Sequence, residues 1–128
     1  MMEAGLRPII THPERNPLLQ ARFADVRKWA AQGVLVQITA LSFLGRFGKA
    51  AKKSADQFME QGLAHFVASD AHDTRRRTTD MREASDYVRS RFGVEAAQRV
   101  FEENPRAVLG GVPISALPIP IRRKSWFW

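Results

Sequence analysis

The chain has 128 residues, a hydrophobic fraction of 45% and a formal net charge of +7, which suits one ordinary domain able to bury a core. It has no cysteine, so disulfides, thiolate metal sites and cysteine nucleophiles are excluded. No apolar run approaches the roughly 18 residues of a spanning helix, and the start lacks a signal-peptide pattern, so we expect a soluble cytoplasmic chain without a membrane span.

Three short apolar runs predict three strands. The first covers Arg7–Thr11 and is followed by His12. The second, residues 34–38, is β-branched and nearly all apolar, as expected of a strand covered on both faces. The third covers residues 65–69 and leads directly into Asp70.

Helical spacing of apolar residues fills both intervals between the strands. In the first interval Pro17 suits the first turn of a helix, and Gly33 is expected to end it. The apolar stripe of this helix recurs at spacings of four, three and four: Leu19, Phe23, Val26 and Ala30. A second stripe, closed by Gly62, follows the next loop: Ala51, Ala55, Phe58 and Met59.

Two further helices are predicted after the third strand. Asp80, with Glu83 three residues later, resembles a capping box that would open the first of them. Gly93 is expected to break that helix. The second is predicted to stop near Asn104-Pro105, and a last turn is predicted to reach Gly110-Gly111.

Strands that alternate with helices imply a parallel sheet built from βαβ units. Three strands are few for an independent α/β domain, so we expect a slice of a barrel or of a larger sheet. Its open strand edges would favour self-association. The predicted domain covers residues 1–112, and residues 113–128 are predicted to form an extended basic and aromatic tail.

Polar side chains follow the first and third strands where each strand ends. His12 follows the first strand, and Asp70 and His72 follow the third. Ligands of parallel α/β folds bind at the carboxyl ends of strands, so these side chains are expected to share one face. Two imidazoles and a carboxylate suit zinc, iron or manganese. Arg15 lies three residues past His12, where its guanidinium could clamp a phosphate.

Plainer interpretations stand beside these. An Asp-x-His pair is common, and a histidine before proline can be a simple loop residue. His65 is expected to be structural, and Glu14 to be a surface or supporting residue rather than a ligand. Gly45–Lys49 departs from the Walker pattern because Ala50 follows the lysine, so its glycines indicate entry into a helix.

Several ordered segments resemble the bacterial capsule and exopolysaccharide tyrosine phosphatases of the polymerase-and-histidinol-phosphatase (PHP) superfamily. Residues 7–16 resemble the family's HPERN segment, and residues 36–48 resemble its next strand and GRFG loop. Residues 65–72 resemble its SDAH signature, and residues 104–110 its closing helix. The resemblance covers about residues 7–111 and corresponds to the C-terminal half of the family.

This resemblance implies part of a distorted parallel (β/α) barrel that binds manganese, iron or zinc. It also implies hydrolysis of phosphotyrosine on a bacterial tyrosine kinase of polysaccharide export. By the resemblance, Arg15 falls on the phosphate-contacting arginine and Arg77 on a second active-site arginine, with Arg75 and Arg76 as alternatives in register. Three residues fall on metal-ligand positions: His12, Asp70 and His72.

The chain also departs from the family pattern. The family's opening His-x-His strand and its midway acidic ligands have no match here, so the chain is predicted to be truncated and too incomplete to act as an enzyme alone. Leu41 replaces a small residue, and Asp73 replaces the usual asparagine.

Two alternatives remain open at this stage. One is another PHP phosphoesterase, such as a histidinol-phosphatase type. The other is a non-catalytic basic module for nucleic acid or acidic partners, with Trp126–Trp128 available for stacking. It would use basic clusters at Arg46–Lys53, Arg75–Arg77 and Arg122–Lys124. Nucleic acid is the weaker possibility, because the chain carries no known nucleic-acid motif.

Overall fold

A computed structural model describes residues 2–121. Its centre is a three-stranded parallel sheet in the order β1-β2-β3. The strands are β1 (Ile9–Thr11), β2 (Leu35–Thr39) and β3 (Phe66–Ala68). Parallel pairing confirms the predicted α/β class, and the central strand β2 is almost entirely buried, as expected.

Six α-helices lie within the described residues: α1 (Pro17–Ala21), α2 (Phe23–Ala31), α3 (Lys49–Glu60), α4 (Arg82–Phe92), α5 (Val94–Gln98) and α6 (Asn104–Leu109). A π-helical turn, Arg99–Glu103, joins α5 to α6. Three short 3-10 turns complete the regular structure: Met2–Ala4, Pro13–Arg15 and Ala40–Ser42. Within residues 2–121, no helix is both long and apolar enough to cross a membrane.

The predicted first helix is divided into α1 and α2. The backbone of Arg22 leaves the helical region, with φ −114° and ψ 41°, and interrupts the hydrogen-bond ladder. Asn16 caps the start of α1, where its side chain accepts bonds from two backbone N–H groups. The predicted apolar stripe still faces the core, since Val26 and Ala30 are buried and the other two members pack against them.

One face of the sheet carries the main core. Alternate side chains of a strand point to opposite faces, and Val36, Ile38 and Val67 point toward the helices. Helices α2, α3 and α4 bury apolar residues against this face. Phe58 of α3 packs on Phe23 of α2, with ring centroids 4.9 Å apart.

The opposite face is covered by the segment after α6. Leu35 and Phe66 pack there against Ile114 and Ala116. The Arg7 guanidinium donates to the Ile114 carbonyl and fixes the segment beside β1. The start of the predicted tail is therefore extended and packed, while the proposed division at residue 112 stays a prediction.

The same segment continues along the end of α3. Ile119 N–H donates to the Gly62 carbonyl at 3.3 Å. Gly62 has a φ of 69°, and a Cβ there would collide with the Ile119 backbone, so the close approach requires glycine. The clusters Arg122–Lys124 and Trp126–Trp128 lie outside the described residues.

The predicted capping box of α4 is wrong. Asp80 does accept a bond from Arg82 N–H at 3.0 Å, so it satisfies one free donor of the first turn. The reciprocal bond is missing, because the Asp80 N–H donates to Thr78 Oγ1 instead of Glu83.

At the predicted stop near Asn104-Pro105 the π turn ends and α6 begins, and α6 forms the predicted last turn before Gly110. The chain stays helical through the π turn and α6 to Leu109. Pro105 lies in the first turn of α6, directly after the π turn.

Candidate active site

Two predicted ligands lie at unusual backbone positions. Within residues 2–121, His12 (φ 42°) and Asp70 (φ 50°) are the only non-glycine residues with a positive φ. Such residues are uncommon and concentrate at functional sites, although His and Asp tolerate this region better than most residue types. Both follow strands at the carboxyl edge of the sheet, where a ligand is expected.

Asp70 is bound by two arginines from different loops. Arg15 Nη1 donates to Asp70 Oδ2 at 2.7 Å, and Arg77 Nη2 donates to the same oxygen at 2.6 Å. The second carboxylate oxygen, Oδ1, is engaged by neither arginine. All three side chains are about one-quarter exposed. The cluster therefore joins the ends of β1 and β3 across β2 and brings three of the five predicted site residues into contact.

Phe47 supports both guanidiniums. Its ring centroid lies 3.9 Å from Arg15 Cζ and 5.6 Å from Arg77 Cζ, distances at which a cation is attracted to an aromatic face. Gly45 and Gly48 lie on either side of Phe47 in the sequence, and their φ values of 77° and 93° are in the left-handed region that favours glycine. The sequence did not predict this role, because the contact depends on how separate loops pack together.

Residues 72–77 form a closed loop. The N–H groups of His72 and Asp73 both donate to the Arg77 carbonyl, at 2.9 and 3.3 Å. Asp73 Oδ1 accepts bonds from three consecutive backbone N–H groups, those of Arg75–Arg77, at 2.7, 2.6 and 3.1 Å. These N–H groups hold the pKa of the Asp73 carboxyl below its usual range. The residue that departs from the family's asparagine thus organises the loop.

The three consecutive arginines of this loop, Arg75–Arg77, differ in where their side chains lie. Arg77 turns inward and binds Asp70, and its Nε is buried without a hydrogen-bond partner among residues 2–121. Arg75 and Arg76 are exposed. Of the three arginines in register, Arg77 is the one whose guanidinium reaches the carboxylate.

His72 is held in one tautomer. Its Nδ1 lies 2.7 Å from the Asp70 carbonyl oxygen, which can only accept, so Nδ1 carries the proton of the neutral ring. Nε2 then keeps its lone pair. Metal-binding histidines commonly donate their other ring N–H to a carbonyl in this way.

Glu14 is a buried support. Its side chain is fully buried, and Oε1 accepts bonds from Thr39 N–H at 3.0 Å and Ser42 Oγ at 2.7 Å. The other oxygen, Oε2, has no partner within residues 2–121. Glu14 therefore ties the turn that carries Arg15 to the end of β2, which agrees with a supporting role and not with a surface one.

A metal site is only partly matched by these side chains. Among the described residues, no group of three or more His, Cys, Asp or Glu side chains is placed to hold a metal ion. The donor chemistry of His72 and Asp70 fits a divalent metal, because one ring nitrogen and one carboxylate oxygen remain available. The ligand assignment of His12, Asp70 and His72 therefore stays a prediction.

The family described as "Capsular polysaccharide synthesis, CpsB/CapC" has a sequence model that matches residues 1–110. The chain belongs to this family. Membership confirms the resemblance seen in the sequence motifs.

Relatives in the CpsB/CapC family are named as tyrosine phosphatases. The chain is 34% identical over 110 residues to the tyrosine-protein phosphatase CpsB of Streptococcus pneumoniae, covering 82% of this chain and 45% of that protein. It is 32% identical over 123 residues to the tyrosine-protein phosphatase YwqE of Bacillus subtilis, covering 96% and 48%. These names favour the tyrosine phosphatase branch over the histidinol-phosphatase alternative.

A solved structure of the CpsB/CapC relatives has the same fold as this chain. A structure from work on YwqE of Bacillus subtilis and CpsB of Streptococcus pneumoniae, described as unique metal-dependent tyrosine phosphatases, superposes with a TM-score of 0.85 at 33% identity. The match covers 95% of this chain and 49% of that one. The chain therefore spans about half the length of the CpsB/CapC relatives that it matches.

Proposed function

We propose that this chain provides one half of the active site of a metal-dependent protein-tyrosine phosphatase linked to capsule or exopolysaccharide synthesis. The observation that carries this proposal is the cluster of Arg15, Asp70 and Arg77 at the carboxyl ends of β1 and β3. Family membership supports it, since the relatives are named tyrosine-protein phosphatases.

In this proposal the two arginines bind the phosphoryl group. Their guanidiniums already converge on one carboxylate oxygen, and each has further N–H donors for the oxygens of a phosphate. Two cations close together would neutralise the charge that develops on the phosphoryl and leaving oxygens. Phe47 would keep both guanidiniums in place as the substrate enters.

The proposed metal donors are His12, Asp70 and His72. We propose manganese, with iron or zinc as alternatives, since imidazole and carboxylate ligands suit all three. A bound divalent cation supplies Lewis acidity and lowers the pKa of coordinated water. The role of the chain is to orient the donors: the Asp70 carbonyl fixes the His72 ring, and the two arginines fix the Asp70 carboxylate.

The proposed substrate is a phosphotyrosine protein, a bacterial tyrosine kinase of polysaccharide export, in the cytoplasm. The arginine cluster would recognise its phosphate, and the exposed loops around the cluster would contact the flanking chain. Nucleic acid remains a less favoured partner, because the chain carries no known nucleic-acid motif.

The metal role can be tested with the three histidines of the chain. Manganese broadens the NMR signals of nearby imidazoles, so titration should broaden the rings of His12 and His72. His65, which is buried at the other end of β3, serves as an internal control. Asp70→Ala should reduce the broadening, and Asp86→Ala, at an exposed position of α4, should not. Equal broadening of all three rings, or none, would refute the metal assignment.

Turnover of p-nitrophenyl phosphate tests catalysis by the 128-residue chain itself. With manganese present we expect no turnover, because the described donors do not form a complete metal group. Turnover that Asp70→Ala abolishes would support the phosphatase site and contradict the predicted inactivity of the chain alone. Turnover that survives Asp70→Ala would contradict the site.

A further inference from the structure

Two arginines beside the site have no described role. Arg75 and Arg76 are exposed, and within residues 2–121 neither forms an ion pair or an aromatic contact. They immediately precede Arg77, whose guanidinium is bound to Asp70. Two unpaired positive charges thus lie next to the proposed phosphoryl-binding group.

The loop presents these side chains on a fixed backbone. The carboxylate of Asp73 accepts the N–H groups of Arg75 and Arg76, and the loop is closed by two bonds to the Arg77 carbonyl. The Asp73 carboxylate and the Arg77 carbonyl therefore hold the loop, and the guanidiniums of Arg75 and Arg76 form no bond within it. The Asp73 carboxylate bonds these backbone N–H groups and forms no ion pair with the guanidinium of Arg75 or Arg76 within residues 2–121.

We propose that Arg75 and Arg76 bind acidic side chains that flank the phosphotyrosine of a substrate, which makes this surface selective for acidic phosphotyrosine peptides. The inference rests on the proposed function, which assigns the phosphate to Arg15 and Arg77. Arg75 and Arg76 precede Arg77 by two residues and one residue, and consecutive Cα atoms are about 3.8 Å apart, so both side chains begin close to the proposed phosphate site. Guanidinium–carboxylate pairing supplies the chemistry.

Three fluorescein-labelled peptides of equal length test this selectivity by fluorescence anisotropy. The first has phosphotyrosine between glutamates, the second has phosphotyrosine between glutamines, and the third has unphosphorylated tyrosine between glutamates. Each is titrated with the 128-residue chain, with the double variant Arg75→Gln/Arg76→Gln, and with Arg89→Gln/Arg106→Gln. The last variant removes two exposed charges from α4 and α6, away from the site.

We expect the chain to bind the glutamate-flanked phosphopeptide about three- to ten-fold more tightly than the glutamine-flanked one. The Arg75/Arg76 variant should lose this preference and keep its affinity for the glutamine-flanked phosphopeptide. The Arg89/Arg106 variant should keep the preference. The difference should shrink as ionic strength rises past about 0.1 M, where the Debye length is about 10 Å.

Different failures have different meanings. Equal affinity for the two phosphopeptides overturns the flanking-residue proposal and leaves phosphate binding by Arg15 and Arg77 intact. Loss of the preference in both double variants also overturns it, since net charge alone would then explain the effect. If only the two glutamate-flanked peptides bind, and binding depends on Arg75 and Arg76, the acidic surface is supported and the phosphotyrosine function is not. Failure of all three peptides to bind overturns both.

Discussion

Asp70 balances only one of the two positive charges that it binds. Arg15 and Arg77 both donate to Oδ2, so the cluster keeps a net positive charge in a partly shielded position. The face of the Phe47 ring offsets part of the repulsion between the two guanidiniums. A site of this kind is already arranged for a dianionic group, because the arginines need not be brought together when phosphate arrives.

Glu14 ties the turn that carries Arg15 to the end of β2, and its substitution should lower the free energy of unfolding. Glu14→Ala removes the acceptor for Thr39 N–H and Ser42 Oγ and leaves both groups buried without it. We expect a loss of unfolding free energy on the order of 2–4 kcal/mol. The midpoint of urea unfolding, followed by circular dichroism, measures this loss.

Glu14→Gln is the matched control for that prediction. It keeps an oxygen that can accept from Thr39 N–H and Ser42 Oγ, and it places an NH2 group where Oε2 has no partner among residues 2–121. Its loss of unfolding free energy should therefore be smaller than that of Glu14→Ala, because only the unpartnered NH2 group carries a cost. A loss as large as that of Glu14→Ala would show that the bonds to Thr39 and Ser42 are not the source of the stabilisation.

His65 connects β2 to the extended segment at the end of the sheet opposite to the site. Its Nδ1 accepts from Val36 N–H of β2 at 2.9 Å, and its Nε2 lies 3.2 Å from the Ala116 carbonyl of the extended segment. Because Val36 N–H can only donate, Nδ1 is unprotonated and Nε2 carries the proton. His65 is thus structural, as the sequence predicted.

The protonation of His65 should make stability depend on pH. Burial of the ring lowers its pKa below the usual 6.5; the Ala116 bond opposes this, and the nearby Arg7 and Arg99 charges reinforce it. The unfolded chain then binds more protons than the folded one below pH 6.5, so stability is full above that pH and is lost as pH falls. The slope should approach at most about 1.4 kcal/mol per pH unit.

Urea unfolding between pH 5 and 7.5 tests this dependence. His65→Gln should flatten the decline, since it removes the titrating ring, and His72→Gln, at an exposed position, should leave it. A decline that persists unchanged in His65→Gln would assign the dependence to another group.

The strands were the most predictable elements because each is a short, mostly apolar run. The structure moves their limits by one or two residues only. Helix ends were less predictable. The break at Arg22 and the passage through Pro105 depend on backbone angles and a π turn, for which the local sequence carries no periodic signal.

The site was predictable where strand order fixes it. Arg15 and Asp70 follow strands that end at one edge of a parallel sheet, so strand order accounts for their ion pair. The contact of Phe47 with the arginines and the closure of the loop by Asp73 depend on how separate loops pack, and the sequence could not supply either.

The sheet as a whole is open at both sides. Among the described residues, β1 and β3 each pair only with β2. The side chain of Ile9 on β1 is 40% exposed, although the central strand is buried. Such an edge offers unpaired backbone groups beside apolar surface, which favours pairing with another chain.

We expect the chain to self-associate through the unpaired edge of β1. Sedimentation velocity over a concentration series should show a monomer that associates as concentration rises. Ile9→Lys places a charge on the edge strand and should weaken association about ten-fold or more, equivalent to about 1.4 kcal/mol. Leu109→Lys is the control, because Leu109 is 90% exposed on α6 and lies away from the sheet edge. A chain that stays monomeric throughout, or two variants with equal effects, would show that the β1 edge is not the contact, and the exposed isoleucine would then need another explanation.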